Sequence, residues 1–281
     1  MMLLQAGQMG LYRRDSFWTD ALPPDMVAGA TMWIDFTDVL TIYAGAHLDG
    51  GNVTTPDVPV RSVENKIAAG YGLVSVTVES SGNLRVSATP SGKNSVVLVN
   101  STAVYYYYYD MRTAATDAVP MSALFSASNK TIIAAVKVAG STPFNGYDMN
   151  GGDVIFGDSQ HFALFVTEDS GVISARASNQ VTFPDQCVGQ AIGRNTWVIL
   201  TASHQGGSLR IRVNGGAWVT TPSGATGSLT FNPKVMNATG TSSPSEITMA
   251  HIVAINTAQT DAAISAVEHW VANDVGITPW W

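Results

Sequence analysis

Charged residues are scarce in this chain. Asp, Glu, Lys and Arg make up 12% of its 281 residues, whereas roughly 25% is usual in soluble proteins. A surface with so few charges must be built from Ser, Thr, Asn and Gly, which suits dense packing in an assembly and also suits a glycan-binding face. The formal net charge is −7 and no basic run is longer than Arg13-Arg14, so we expect no nucleic-acid partner.

Cysteine and long apolar runs are also scarce. Cys187 is the single cysteine, so no disulfide can form within the chain. The longest apolar run, residues 131–136, has the length of a strand and ends at Lys137, whereas a membrane-spanning helix needs about 20 apolar residues. The apolar start, residues 1–4, is too short for the core of a signal peptide. We therefore expect no membrane partner and no export through a membrane.

Sequence motifs of known catalytic sites are missing. The five glutamates are scattered, and none has the Glu-x-Asp-x-x-Glu spacing that supplies acid and nucleophile in glucanases. There is no Gly-x-Ser-x-Gly elbow, no His-Glu-x-x-His helix and no phosphate-binding loop. The five histidines lie far apart in sequence, and each is better explained as a surface or core residue than as a ligand. We therefore expect a protein that is not an enzyme.

One acidic loop offers oxygen atoms to a cation. The segment Asp148-Met-Asn-Gly-Gly-Asp153 places oxygen ligands at alternate positions, as calcium loops do. It departs from the EF-hand pattern at the fifth and sixth positions, and no glutamate closes it. Solvated turns are the favoured interpretation; if calcium binds, its candidate ligands are Asp148, Asp153 and Asp158. No other cofactor is expected.

The most regular pattern is a predicted hairpin over residues 195–218. A strand opened by Trp197 leads to a Gly-Gly turn at 206–207, and the next strand alternates strictly. Its two faces carry Leu209, Ile211 and Val213 on one side, and Ser208, Arg210 and Arg212 on the other. This period of two indicates one buried and one solvent-exposed face. The Asn-Gly pair at 214–215 supplies the positive φ angles that a tight turn needs.

Further strands and one helix are predicted on either side of this hairpin. Residues 31–38 predict an opening strand, and a second hairpin is expected from a strand at 73–78 and another at 84–86. A helix is predicted from Asp261 to about Asn273, with Thr260 as its N-cap and an apolar stripe at helical spacing. Short strands separated by turn residues fill the middle of the chain at the spacing of a sandwich.

Three of these motifs, in this order, resemble the concanavalin A-like (laminin-G-like) jelly roll of bacteriophage and bacterial surface proteins. They are the opening strand with Trp33, Asp35 and Asp38, the 195–218 hairpin, and the ending from His251 through the helix to Ile277. The resemblance covers roughly residues 31–277. It implies an all-β jelly-roll sandwich of two antiparallel sheets with one C-terminal helix.

Two segments are candidates for contact with other molecules. Residues 1–26 lack periodicity, so we expect an N-terminal arm there, followed by a domain at 27–281. The arm's apolar anchors, for its own domain or for a neighbouring subunit, are Phe17, Trp18 and Leu22.

The second segment is a run of five consecutive tyrosines, Tyr105, Tyr106, Tyr107, Tyr108 and Tyr109. In a strand they would alternate between the two faces, so about half would be exposed and available to a partner or a sugar. The alternative is an aromatic strand at the edge of the core.

Two functions compete at this stage. The family resemblance implies a non-enzymatic bacteriophage virion structural protein, a capsid decoration or tail-associated subunit assembled in the host cytoplasm, whose partners are other virion proteins and itself. The same sandwich also fits a lectin-like module for host or environmental glycans, with Tyr106, Tyr108 and Trp218 beside Asn214 as first candidates. The two functions can coexist. A degenerate glycoside hydrolase is a third alternative.

Overall fold

The computed structural model describes residues 21–45, 50–55, 58, 60–67, 71–75, 84–98, 109–113, 129–139, 153–157, 162–179, 186–223, 234–237 and 247–278. In these ranges the chain forms two antiparallel sheets, one α-helix and two single turns of 3-10 helix. The all-β sandwich with one C-terminal helix that the sequence predicts is confirmed.

The elements follow one another along the chain as a succession of short strands that ends in the helix. In chain order they are β1 (Ala30–Asp35), β2 (Ile42–Tyr43), β3 (Ser62–Glu64), β4 (Tyr71–Ser75), β5 (Leu84–Ala88), β6 (Asn94–Leu98), β7 (Tyr109–Thr113), β8 (Lys130–Val138), β9 (Asp153–Gly157), β10 (Ala163–Asp169), β11 (Val172–Ser178), β12 (Gln186–Ile192), β13 (Trp197–Gln205), β14 (Ser208–Val213), β15 (Val219–Pro222), β16 (Lys234–Asn237), β17 (Ile247–Ile255) and helix α1 (Asp261–Val275). The 3-10 turns are Pro24–Met26 and Val39–Thr41.

The first sheet, sheet A, has the order β15-β14-β13-β8-β17-β6-β5. Strand β17 pairs with β8 on one side. On the other side β17 pairs with β6 through Ile247–Met249 and with β1 through His251–Ile255. The edge of β17 is therefore shared by two strands, and a bulge between Met249 and His251 marks the division. The second sheet, sheet B, has the order β12-β11-β10-β9-β16-β7-β4-β3-β2.

Strands β8 and β17 of sheet A are buried on both faces. Alternate residues of β8, such as Ile132 and Ala134, belong to the core between the sheets, and the intervening Ile133 and Ala135 belong to a second core beneath α1. Double burial explains why residues 131–136 read as a continuous apolar run instead of an alternating one. It also places α1 outside the sandwich, as a third layer on sheet A.

The helix has the boundaries that its sequence predicts at the N-terminal end. Thr260 is the N-cap, and its side chain accepts a hydrogen bond from the backbone N–H of Ala263 at 3.1 Å. The helix continues two residues beyond the expected Asn273, and Gly276 ends it in the left-handed conformation, with φ 81°.

Two expectations about strands are wrong. The strands predicted to form a hairpin at 73–78 and 84–86 lie in different sheets: β4 pairs with β3 and β7, and β5 pairs with β6. The segment 89–93 forms a short turn between β5 and β6, closed by a hydrogen bond from Thr89 N to the Lys93 carbonyl at 2.8 Å. Strand β5 therefore pairs with the strand that follows it and not with β4. The second error concerns β14, whose supposedly exposed face lies under α1, so that Arg212 is only 5% exposed.

Candidate functional site

Two polar clusters hold α1 against sheet A, one on each side of an apolar seam that includes Ile264, Val267 and Val271. We name them by their central residues. The Arg212 cluster consists of Thr201, Arg212, Ser265 and Glu268. The His251 cluster consists of Asp35, Thr37, Lys66, Lys93, His251 and Asp274.

The Arg212 cluster is a buried ion pair with all its contacts between β13, β14 and α1. Arg212 donates from Nε to Oε1 of Glu268 at 2.9 Å and from Nη2 to Oε2 at 2.8 Å, a bidentate arrangement. Its Nη2 also donates to Ser265 Oγ at 3.0 Å, and Thr201 donates its hydroxyl to Glu268. Burial raises the pKa of Glu268, against the opposing effects of Arg212 and Thr201. The pair is satisfied internally and offers nothing to a ligand.

The His251 cluster lies where the pairing partner along one edge of β17 changes from β6 to β1. The imidazole Nε2 of His251 is 3.0 Å from Oδ2 of Asp274 in the last turn of α1, and Nδ1 is 3.4 Å from Oδ1 of Asp35 in β1. The indole Nε1 of Trp33 donates to the same Nδ1 at 3.4 Å, and the ring of Trp270 packs edge-on against both Trp33 and His251. His251 is completely buried.

Two lysines complete the charge balance of this cluster. Lys66 pairs with Asp35 at 3.0 Å, and Lys93 pairs with Asp274. Burial alone would raise the pKa of Asp35, but His251, Thr37 and Lys66 outweigh it and hold the pKa below its ordinary value. In the same way His251 and Lys93 outweigh burial and hold the pKa of Asp274 well below its usual range. Both carboxylates are therefore ionised at neutral pH.

Sequence reasoning missed the His251 cluster. Its aspartates and His251 come from the first strand, the last strand and the helix, and His251 is separated from Asp35 by more than 200 residues. No local spacing could signal this. A histidine between two carboxylates suggests acid–base chemistry, but His251 has no exposed surface. In the described part of the chain no group of three or more His, Cys, Asp or Glu could hold a metal ion. We interpret the cluster as a fastening of α1 to β1 and β17.

A partly exposed group beside the Arg212 cluster has a different character. We call it the Trp218 patch; it consists of Arg210, Trp218, Thr220 and Asp261. The guanidinium carbons of Arg210 and Arg212 lie 4.2 Å and 4.3 Å from the centre of the Trp218 ring. Arg210 Nη1 pairs with Oδ1 of Asp261 at 2.7 Å, and the Asp261 side chain is 55% exposed. Thr220 lies opposite Arg210 across the β14–β15 pair and is exposed.

Two donors in the Trp218 patch have no hydrogen-bond partner. They are the indole Nε1 of Trp218 and the Nε of Arg210, which are buried and unpaired among the described residues. Both groups can only donate, so they suit an acceptor such as a hydroxyl or carboxylate oxygen. Part of the Trp218 ring is covered by guanidinium groups, which leaves less area for stacking than a fully exposed indole would give.

Asn214 has a structural task in the same hairpin. It adopts φ 50° and Gly215 φ 68°, the positive values predicted for the turn. The Oδ1 of Asn214 accepts from the backbone N–H of Ile199 at 2.8 Å, and its own N–H donates to the Ile199 carbonyl at 2.7 Å. The ligand role predicted for Asn214 stays a prediction, although its Oδ1 is already bonded to the backbone.

The remaining predicted site residues are only partly covered by the described ranges. Tyr109 is the first residue of β7 in sheet B, whereas Trp218 lies in the connection between β14 and β15 of sheet A. Asp153 begins β9. Leu22 packs against its own domain's second core, and its N–H donates to the Ala266 carbonyl in α1 at 3.0 Å. The other candidates lie outside the described residues; they are Phe17, Trp18, Tyr105, Tyr106, Tyr107, Tyr108, Asp148 and Asp158.

Comparison with known proteins gives a fold and no family. No family model and no curated protein matches the sequence. Among solved structures, the chain is similar to the botulinum neurotoxin type G receptor binding domain, with a TM-score of 0.51 and 10% identity over 88% of this chain and 52% of that one. It is similar to the binding domain of Paraclostridial mosquitocidal protein 1, with a TM-score of 0.51 and 9% identity over 84% and 52% of the two chains.

A third similar structure is a mutant Trypanosoma rangeli sialidase displaying trans-sialidase activity. Its TM-score is 0.52 and its identity 9%, over 88% of this chain and 33% of that one. The chain thus spans about half, or less, of the proteins it resembles. At such low identity the likeness establishes a shared β-sandwich fold and nothing finer. No described helix is long and apolar enough to cross a membrane.

Proposed function

We propose that this chain is a non-enzymatic, lectin-like binding module, and that the Trp218 patch is its contact surface for carbohydrate. The observation that carries the proposal is the composition of the patch: a half-buried indole next to charged and hydroxyl side chains, with two donors unpaired. Sugars are bound by aromatic rings together with side chains that exchange hydrogen bonds with their hydroxyls.

The use of the other buried charges supports a binding role over catalysis. Among the described residues, the buried carboxylates of Asp35 and Glu268 and the imidazole of His251 are occupied in the two clusters that fasten α1. The fold adds support of a weaker kind, because similar sandwiches include a domain named for receptor binding. The comparison does not identify a ligand for this chain.

The test is a glycan panel followed by calorimetry with the best ligand. Trp218→Phe keeps a ring for packing but removes the indole N–H, and Arg210→Gln removes the charge; each should weaken binding at least about fivefold. Trp197→Phe is the matched control, because Trp197 also packs at the margin of the core under α1, and it should bind as the original protein does. Equal affinity of Trp218→Phe and Trp197→Phe would exclude the Trp218 patch as the sugar site.

A second candidate function is a virion structural protein, displayed on a capsid or tail. The specific observation in its favour is the resemblance of the chain's ending, from His251 to Ile277, to phage members of the jelly-roll family. Quantitative mass spectrometry of purified particles from the source checks it. Copy numbers near that of the capsid protein would support a decoration protein, and a few to tens of copies a tail component; absence from particles would reject the virion role.

A further inference from the structure

Besides Cys187, two buried ionisable side chains of the described residues belong to neither cluster: Lys130 and His204, which are 1% and 2% exposed. They are direct cross-strand neighbours on β8 and β13. Ile133 and Ala135, at odd-numbered positions of β8, belong to the core under α1. Lys130 is at an even-numbered position, so its side chain points the other way, into the space between the sheets. Its amine lies 5.8 Å from the centre of the Phe162 ring, which belongs to the inter-sheet core.

The Lys130 amine lacks the contacts that a buried charge normally has. Its Nζ is shielded from solvent and has no hydrogen-bond partner, and no carboxylate pairs with it among the described residues. Burial lowers the pKa of Lys130 to about 8, so the protonated form still predominates at pH 7 by about ten to one. A buried ammonium ion without an acceptor is unfavourable, and such groups are uncommon unless a partner or a function compensates for them.

This amine lies at one end of the sandwich. β8 begins at Lys130, and β13 ends one residue after His204. In sheet B, Phe162 directly precedes β10 and Asn179 directly follows β11. Asn179 Nδ2 donates to Ser223 Oγ at 2.8 Å, a bond that joins the two sheets at this end. Among the described residues, Lys130 is thus in the last layer of the inter-sheet space at this end.

We propose that this end of the sandwich, the Lys130 site, binds the carboxylate of a small organic acid. The ammonium supplies both the charge and the donors that a carboxylate needs. A phosphate is a poorer match, since it carries more charge and more acceptor atoms than one ammonium can satisfy. The Lys130 site lies between the sheets, whereas the Trp218 patch is on the outer face of sheet A, so this inference goes beyond the proposed function and does not depend on it.

Thermal unfolding at pH 7 tests the proposal with pairs of probes that differ in charge alone. The probes are acetate against acetamide and glucuronate against glucuronamide, at one ionic strength set with sodium chloride. Binding predicts that a carboxylate raises Tm by roughly 3 °C or more near saturation, while its amide does not. The carboxylate should also raise the pKa of the Lys130 amine, measured by NMR of labelled lysine.

Two variants keep the result interpretable. Lys130→Met removes the charge but keeps the apolar volume, and its Tm should not respond to carboxylates. Lys137→Met, at a half-buried position of the same strand, should keep the full response. The proposal is overturned if each acid and its amide shift Tm equally, if neither shifts it, or if Lys130→Met responds as Lys137→Met does. A loss of glycan binding in Trp218→Phe with an unchanged carboxylate response would separate the two sites.

Discussion

The ion pair of Arg212 and Glu268 should contribute strongly to the stability of the fold. Both are buried, and each satisfies the charge of the other through two hydrogen bonds. Glu268→Gln should lower the free energy of unfolding by about 3–5 kcal/mol, because it leaves the guanidinium buried without a counter-charge. Urea denaturation measures the change.

The neighbouring ion pair provides the control for this prediction. Arg210 and Asp261 are joined at a similar distance, but the carboxylate is 55% exposed. Asp261→Asn should therefore cost less than about 1 kcal/mol. Similar losses in the two variants would show that burial of the Arg212–Glu268 pair does not determine its importance.

Lys130 should reduce stability at neutral pH. Its pKa of about 8 in the folded state lies below the 10.5 of the unfolded chain, so the folded protein binds the proton less tightly. The penalty is full below pH 8 and disappears as pH rises toward 10.5, where both states become neutral. Lys130→Met should be more stable by about 3 kcal/mol at pH 7, with the advantage shrinking above pH 8. Denaturation at several pH values checks this, and an advantage independent of pH would contradict it.

At the scale of elements, the C-terminal end of α1 depends on one glycine. Gly276 has φ 81°, and a Cβ there would come 2.7 Å from the backbone N of Ser91, in the segment whose Ser91 N–H donates to the Val275 carbonyl. Gly276→Ala should lose more than about 2 kcal/mol, since it adds a backbone clash to the strain of the left-handed conformation.

Substitution of Gly171 provides the control that separates backbone strain from steric clash. It has nearly the same φ, 83°, but a Cβ there meets nothing within 4 Å. Gly171→Ala should therefore cost only about 1 kcal/mol. Equal losses at the two positions, measured by thermal unfolding, would mean that the contact between α1 and the Ser91 segment contributes little.

The His251 cluster makes the attachment of α1 sensitive to strong acid. The pKa values of Asp35 and Asp274 are both held below their ordinary 3.8. Their contribution is therefore complete above about pH 5 and is lost as pH falls below the unfolded pKa. Asp274→Asn should cost on the order of 2 kcal/mol at pH 7 and flatten the acid limb of the stability profile. Asp25→Asn, at an exposed position, should follow the original protein, and an unchanged acid limb in Asp274→Asn would argue against the cluster's role.

Local signals in the sequence predict the elements better than their surroundings. The N-cap at Thr260 and the Asn-Gly turn at 214–215 are properties of a few adjacent residues, and both are confirmed. The burial of Arg212 depends on Ser265 and Glu268 of a helix that follows β14 far along the chain, so alternation in β14 could not reveal it. The hairpin predicted between the strands at 73–78 and 84–86 was wrong for a related reason. The strand at 84–86 is flanked by a possible turn on each side, and spacing alone does not show which of the two turns brings it to its partner.

At the scale of the whole molecule, the described residues form three layers, with one core between the two sheets and a second between sheet A and α1; a third, small cluster of buried residues lies on sheet B. The resemblance predicts the sandwich and its helix, because its motifs mark the first strand, the central hairpin and the ending. It does not predict the Trp218 patch, since Asp261 reaches Arg210 only after α1 folds back over sheet A. The ligand contacts of a sandwich are set by such long-range placements, which explains why the fold is easier to read than the function.

The pairing of β17 with three other strands has a consequence for how the protein is made. β17 starts at residue 247 and pairs with β1, β6 and β8. A nascent chain has therefore synthesised all the other described strands before the one that pairs with three of them is available. Until translation passes this point, β1, β6 and β8 expose unpaired apolar edges, which are prone to aggregation. Folding of sheet A is thus completed only after β17 has been synthesised, and termination before residue 247 should yield insoluble fragments in place of smaller folded ones.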